Sequence, residues 1–463
     1  MNELDTIAAV STPAGEGGIG IIRISGPDAL TMARKVFFPK GGRPLVERFL
    51  HYGLMKGPDG ETLDSGCMVF MNGPRSYTGE DVAELHCHGG ALVLKDVLCA
   101  VVRAGARLAG PGEFTRRAFL AGKLDLAQAE AVIDVIRAGT DTALASARGR
   151  LEGALSRRVG QIKEALLGLL TTLEAELDFP EDEFEGLSLD DMADGLQSAG
   201  QSVERLLSTF EEGRALREGV RVLILGRPNV GKSSLLNILL EQERAIVTPV
   251  PGTTRDVIEE VINIRGIPVR LMDTAGLRET SDVVESIGVR SARNRIEDAG
   301  LILFVVDASA PETFGEDLAE LRGVEGRPVV VVANKSDLVE GEPSAKAFFE
   351  GYTVCHTSAV GPDGPDGPFG IEELKDEVAA RIVGSPAGDV PPGELVASVR
   401  HRDSLERCLE GVERARRATA AGVEKEFIAT DIRWAIDRLG EITGETTTED
   451  ILERIFSTFC IGK

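Results

Sequence analysis

The chain has 463 residues, 43% of them apolar, and a formal net charge of −24. That length predicts two to four domains with full cores, and that charge argues against indiscriminate nucleic-acid binding. No apolar run is long enough to span a bilayer and the start Met1-Asn2-Glu3-Leu4-Asp5 is polar rather than signal-like, so a soluble cytoplasmic protein is expected.

Residues 1 to about 121 are rich in glycine and short apolar runs. Ala8-Ala9-Val10, Gly20-Ile21-Ile22-Arg23-Ile24 and Cys67-Met68-Val69-Phe70-Met71 read as strands, and 28–36 and 91–104 as helices. A small α+β domain is expected there. Taken alone, Arg23 reads as a strand-edge surface residue. His86-Cys87-His88 has no second ligand pair, so structural zinc is not read there. The six cysteines, Cys67, Cys87, Cys99, Cys355, Cys408 and Cys460, are scattered, and reduced thiols are expected.

From about 122 to 217 the pattern turns helical, with Ile162, Leu166, Leu170 and Leu173 at helical spacing. Phe179-Pro180 breaks the run, and one further helix over about 192–212 leads onward. Strands and helices then alternate over 218–384, as in a doubly wound sheet. Pro362 to Pro368 is a turn-rich loop within it. Helices resume over 385–463, at about 395–421, 426–439 and 448–456. Helices need partners for their apolar faces. A discontinuous all-helical domain with an α/β module inserted in it meets that need. Arg148, Arg150, Arg157 and Arg158 cluster on one helical stretch and Arg414, Arg416 and Arg417 on another. These read as solvated faces, with a local basic surface as the alternative.

Gly226-Arg227-Pro228-Asn229-Val230-Gly231-Lys232-Ser233 follows the apolar run Val222–Leu225 and opens a helical pattern. Strand, glycine loop and helix together predict a phosphate-binding loop. Glycines let the backbone N–H groups converge on phosphate oxygens, and the helix N-terminus adds positive potential. Lys232 would reach the β- and γ-phosphates, and Ser233 would bind Mg²⁺.

Val329-Val330-Val331-Val332-Ala333 reads as a buried strand followed by Asn334-Lys335-Ser336-Asp337. An Asn amide can read guanine O6 or N7, and an Asp carboxylate accepts from N1–H and N2, a donor pair adenine lacks. Ser358-Ala359 would supply a backbone N–H to O6. Asp273-Thr274-Ala275-Gly276 would face Mg²⁺ and the γ-phosphate, and Pro251-Gly252-Thr253-Thr254 would offer a threonine to the metal. Five motifs in this order predict GTP binding. Leu277 stands where many GTPases carry a water-orienting Gln, so hydrolysis needs another group. Glu285 is a candidate, although spacing alone also fits an ordinary exposed carboxylate.

These features resemble one family over essentially the whole chain: the tRNA-modification GTPase family MnmE, also called TrmE. The likeness lies in Asp5-Thr6-Ile7-Ala8-Ala9, Gly17 to Gly26, Arg75-Ser76-Tyr77-Thr78-Gly79-Glu80-Asp81, His88-Gly89-Gly90, Pro111 to Leu120, and Lys123 to Glu130. It ends in Phe459-Cys460-Ile461-Gly462-Lys463, which unrelated GTPases have no reason to carry.

The resemblance implies an N-terminal folate-binding and dimerisation domain (1–121), a helical domain in two parts (122–217 and 385–463) and a GTPase domain between them (218–384). It implies a homodimer that joins an MnmG (GidA)-type flavoprotein, which alone holds FAD, in a heterotetramer. That complex would place aminomethyl or carboxymethylaminomethyl groups on C5 of the wobble uridine (U34) of certain tRNAs, taking a carbon from a 5,10-methylene- or 5-formyl-tetrahydrofolate. Folate positions match Arg23, Glu80, Lys123 and Lys463. GTP positions match Asn229, Val230, Gly231, Lys232, Ser233, Ser234, Thr248, Pro249, Val250, Pro251, Gly252, Thr253, Thr254, Asp273, Thr274, Ala275, Gly276, Asn334, Lys335, Asp337, Ser358 and Ala359.

Mg²⁺ ligands match Ser233 and Thr254. K⁺ ligands match Asn229 and Thr248, with main-chain groups around Val250 and Thr253. A monovalent cation at the β–γ bridge would answer the Leu277 problem. Glu285 matches the catalytic glutamate and Arg278 a switch residue. Val360 departs from the basic residue often found after Ser-Ala. Cys460, with no flanking base, reads as a packed thiol or a neighbour of folate rather than a nucleophile. Two other readings share the GTPase motifs: a regulatory GTPase acting on ribosome or membrane partners, and a folate-dependent methyltransferase regulated by GTP.

Overall fold

The computed structural model describes residues 5–42, 44–178, 188–243, 260–272, 296–324, 326–339, 344–359, 368–383 and 390–463. The chain divides into two compact units, one of residues 1–133 with 440–463 and one of 134–439.

The first unit holds a seven-stranded sheet: β1 (Ile7–Val10), β2 (Gly20–Ser25), β3 (Phe37–Pro39), β4 (His51–Lys56), β5 (Thr62–Met71), β6 (Val82–Cys87) and β7 (Arg107–Leu108). Their spatial order is β3-β4-β5-β6-β2-β1-β7. All pairs are antiparallel except β1 with β7. The two-residue period of a strand sorts side chains between faces. Ile22 and Ile24 of β2 and Leu85 of β6 enter a core with Met68, Met32, Val97 and Val101, under helices Ala29–Val36 and Ala91–Arg103. The opposite face carries Arg23 and Glu84, which are direct partners across β2 and β6. Arg23 therefore lies on a central strand, half-buried, and not at a sheet edge.

Helix Glu449–Phe456 packs with helix Leu126–Arg137 through Leu126, Ala129, Ile133, Leu452, Phe456 and Phe459. Beyond it the chain runs back to the sheet. Ile461 bridges Pro111, and Ser11 Oγ donates to the Gly462 carbonyl at 3.1 Å. Gly462 has φ +96, and a Cβ there would stand 2.2 Å from the Val10 carbonyl oxygen, so only glycine fits this close approach.

Among the described residues the second unit is built on a six-stranded sheet: β8 (Val220–Leu225), β9 (Glu260–Ile264), β10 (Ile267–Met272), β11 (Leu301–Asp307), β12 (Val329–Asn334) and β13 (Thr353–His356). The order is β13-β12-β11-β8-β10-β9, with only β9 antiparallel to its neighbour. Apolar side chains fill both faces. Leu235, Leu239, Leu374 and Val378 pack on one side and Phe314, Leu321 and Phe349 on the other. Strands buried on both faces read as continuous apolar runs, as 329–333 does. This is a doubly wound α/β module.

Helix Leu189–Leu207, which precedes the sheet, packs on helix Val399–Ala420, which follows it. A Cβ on Gly200 would meet Val412 at 3.6 Å, an ordinary contact. Helices on either side of the α/β module thus share one core. The helix expected over 192–212 is instead two, Leu189–Leu207 and Phe210–Glu218. The cause is Thr209, fully buried, whose hydroxyl donates to the Leu206 carbonyl and accepts from Val396 N–H at 3.0 Å. Arg150 is also no solvated residue. It is 4% exposed and pairs with Asp134 at 3.1 Å, which Arg217 also meets at 2.9 Å.

Candidate nucleotide site and N-terminal cation cluster

β8 lies between β10 and β11 and delivers the chain to the glycine loop. Gly226 has φ +135, and a Cβ there would lie 2.2 Å from the Val305 carbonyl oxygen. Asn229 is left-handed at φ +66. Gly231 has φ +98, and its Cβ would sit 2.1 Å from Asn334 Nδ2. Helix Lys232–Glu243 starts immediately after. Its first N–H groups have no helical partner, which makes its start an anion site. Lys232 Nζ donates to the carbonyls of Gly226 at 2.9 Å and Arg227 at 2.5 Å, so its ammonium is held over the loop. Ser233 and Ser234 are exposed in the first turn.

The base-side residues lie at the end of β12. Asn334 is 1% exposed. Its Nδ2 donates to the Val230 carbonyl at 2.9 Å, and its Oδ1 accepts from Ala359 N–H at 3.2 Å and Thr357 Oγ1 at 3.3 Å. One amide thus ties the glycine loop to the loop bearing Ser358 and Ala359. Lys335 is left-handed at φ +60, and its ammonium pairs with Asp307 Oδ2 at 2.6 Å. Asp337 is exposed in the turn Ser336–Leu338. Burial pushes the Asp307 carboxyl up in pKa, but the Lys335 and Ser309 donors outweigh that and hold it below the usual carboxylate value. No motif in the sequence singles out Asp307. Its signal is an acidic residue closing the fully buried run 301–306.

Thr248, Pro249, Val250, Pro251, Gly252, Thr253, Thr254, Asp273, Thr274, Ala275, Gly276, Arg278, Glu285 and Val360 lie outside the described residues, as do 361–367. So does Leu277.

In the N-terminal unit Arg23 Nε and Nη2 both meet Glu84 Oε1 at 3.0 Å. The guanidinium lies 5.4 Å from the Tyr77 ring centre and 5.8 Å from that of Phe114, within cation–π range. His86 Nε2 reaches Glu84 Oε2 at 3.3 Å, the first cause holding the Glu84 carboxyl below its usual pKa, against burial and with help from Arg23. Burial pushes the Lys463 ammonium down in pKa, the charge of Arg23 adds to that, and Glu84 opposes it.

Ser25 stands two residues beyond Arg23 on the same face of β2, about 7 Å along the strand. Its hydroxyl donates to Glu80 Oε2 at 2.7 Å, and Arg117 Nη1 donates to both Glu80 oxygens at 3.1 Å. Lys123 Nζ donates to the Pro74 carbonyl at 2.8 Å. Gly462 stands against Val10, whose strand pairs with β2, so Lys463 lies beside the strand of Arg23; Glu80 lies a step along that strand, and Lys123 turns to the Pro74 carbonyl. Cys460 is exposed, not packed. His88 lies past the end of β6 and bonds Asp64 at 2.7 Å, while His86 bonds Glu84. Among the described residues no His/Cys/Asp/Glu cluster could hold a metal, and no helix is long and apolar enough to cross a membrane.

The donor set fits its expected groups. A loop whose two glycines leave no room for a Cβ, an ammonium and a helix N-terminus suit a polyphosphate, and the Ser233 hydroxyl suits a hard divalent cation. The Arg23 guanidinium, with the rings of Tyr77 and Phe114 beside it, suits an anionic aromatic ligand.

Two family models match the chain: "GTP-binding protein TrmE N-terminus" over residues 6–123 and "MnmE helical domain" over 126–460. A protein named tRNA modification GTPase MnmE from Heliobacterium modesticaldum is 47% identical over 470 residues, covering 99% of each chain. Another of that name from Geobacter sulfurreducens is 48% identical over 462 residues, again covering 99% of each. Among solved structures, the G domain of T. maritima FeoB matches 35% of this chain and 98% of its own at 30% identity and a TM-score of 0.27.

Proposed function

The chain belongs to the family of tRNA modification GTPases named MnmE, and from that premise we propose that it hydrolyses GTP in a K⁺-dependent manner to drive modification of the wobble uridine at C5. The observation that carries the GTP half is the bond from Asn334 to Val230, which joins a base-side strand end to a phosphate-side loop. Lys232 would leave its two loop carbonyls for the β- and γ-phosphates, and Asp337 would accept from the guanine N1–H and N2. Mg²⁺, held by Ser233 and Thr254, would supply charge neutralisation on the phosphates. K⁺, held by Asn229, Thr248 and main-chain groups near Val250 and Thr253, would supply a second positive charge where Leu277 offers none. Glu285 would position the attacking water, and Arg278 would belong to the same switch.

The tetrahydrofolate derivative would lie in the N-terminal domain and supply the one-carbon unit. Arg23 and Lys463 would pair with its anionic groups, Glu80 would take the donor edge of the pterin, and Lys123 would complete the set. FAD would be on an MnmG-type partner, and this chain would act as a cytoplasmic homodimer within a heterotetramer that binds tRNA. The domains would be 1–121, 122–217 with 385–463, and 218–384. Titration of 5-formyl-tetrahydrofolate tests the N-terminal part. Saturable binding that is weakened by Arg23→Ala is expected, and no binding to the wild type would overturn it.

A further inference from the structure

We propose that Asp307 is a positioning residue for the guanine nucleotide: it anchors the ammonium of Lys335 and so presets the base side of the site. The proposal rests on the reading of Asn334, Lys335 and Asp337 as that base side. β11 and β12 run parallel in register, so Asp307 and Asn334 are direct neighbours at the strand ends. Asp307 divides its two oxygens. Oδ1 accepts from Ser309 N–H at 3.0 Å and from Ser309 Oγ at 2.6 Å, while Oδ2 takes the Lys335 ammonium at 2.6 Å. The carboxylate is therefore fixed by its own turn before it meets the lysine.

Lys335 is held at its other end too. Its backbone is left-handed at φ +60, a conformation that disfavours a residue with a Cβ, and Ser336 N–H donates to the Thr357 carbonyl at 3.1 Å. With both ends fixed, the methylene stem of Lys335 forms a preset wall next to Asn334 and Asp337. A lysine otherwise loses extensive rotamer freedom when a ligand covers it. Anchoring it in advance moves that loss from binding to folding. Asp307 itself need not touch the nucleotide.

The variant Asp307→Asn suits the test. Its amide oxygen still accepts from Ser309, so the turn is kept, while an N–H₂ replaces the anion facing Lys335. Affinities for GDP and GTP are measured on the full chain by fluorescent-nucleotide titration for the wild type, Asp307→Asn, Lys335→Ala and the double variant, with thermal midpoints alongside. Asp307→Asn is expected to weaken GDP and GTP binding about tenfold each, because Lys335 serves the base common to both. In the Lys335→Ala background the same change should cost less than twofold. Unchanged affinity in Asp307→Asn, or an equal loss in both backgrounds, overturns the proposal. A silent Lys335→Ala with Asp337→Asn also silent overturns the base-side reading itself, which is a separate failure. Should Asp307→Asn unfold, Ser309→Ala serves instead, with a smaller loss of affinity expected and again none in the Lys335→Ala background.

Discussion

Asn334 and Val230 are 104 residues apart in sequence, yet the Asn334 amide donates to the Val230 carbonyl across 2.9 Å. The contact is possible because Gly231 has no side chain, since a Cβ there would stand 2.1 Å from that amide nitrogen. A buried amide with both ends bonded is costly to disturb. The phosphate loop and the base-side loop therefore respond together to any change at either residue.

Gly231→Ala should abolish measurable nucleotide binding. The new methyl group must displace Asn334, and φ +98 adds backbone strain. Nucleotide titration checks this, with folate binding as the control for a folded N-terminal unit. Nucleotide affinity within tenfold of the wild type would contradict the close-approach argument.

Asp337→Asn should exchange guanine for xanthine preference. The carboxylate accepts two donors from guanine, whereas an amide presents a donor to the C2 carbonyl of xanthine. Competition between GDP and xanthosine diphosphate reads this directly, and an unchanged preference would remove Asp337 from the base contact.

GTP turnover should be faster in KCl than in NaCl, and Asn229→Ala should reduce that difference. Glu285→Ala should retain nucleotide affinity while losing about a hundredfold or more in turnover, as for loss of a positioned catalytic carboxylate. Lost binding instead would assign Glu285 a structural role.

Glu113 supports the N-terminal unit through Arg107 at 2.7 Å, Arg117 at 3.1 Å and the Gly110 N–H at 2.8 Å. Burial raises its pKa, but these donors outweigh that and the carboxyl is held below 4.5. A depressed carboxylate contributes stability above its unfolded pKa and loses it as pH falls through the folded one. Glu113→Gln should cost about 1–3 kcal/mol at pH 7, allowing for the partial exposure of Arg107. The gap in urea midpoint between wild type and variant should begin to narrow near pH 4, the usual glutamate range, and go on shrinking as pH falls through the lower folded pKa. A gap independent of pH would show that charge is not the cause.

The glycine loop was legible in sequence because its signals are local: a strand, two glycines, a lysine and a helix within a few residues. The same holds for the buried run ending at Asn334. Arg23 was not legible from its neighbours alone, because its surroundings come from Glu84 on another strand, from Tyr77 and Phe114, and from Lys463 at the far end of the sequence. Only the family resemblance pointed there. Asp307 is not legible in the sequence because strand register, not spacing, puts it beside Lys335. The helix break at Ser208-Thr209 has no glycine or proline to announce it. It depends on a hydroxyl bond to Val396, nearly two hundred residues away. Arg150 looked like one charge in a basic run until Asp134 folded against it.

The proposed role of this GTPase in wobble-uridine modification is tested most directly by mass analysis of wobble uridines in tRNA from cells lacking the chain. Loss of the C5 aminomethyl-type groups is predicted, with recovery from the wild-type gene but not from a Gly231→Ala gene. Unchanged wobble uridines in the deletion strain would contradict it.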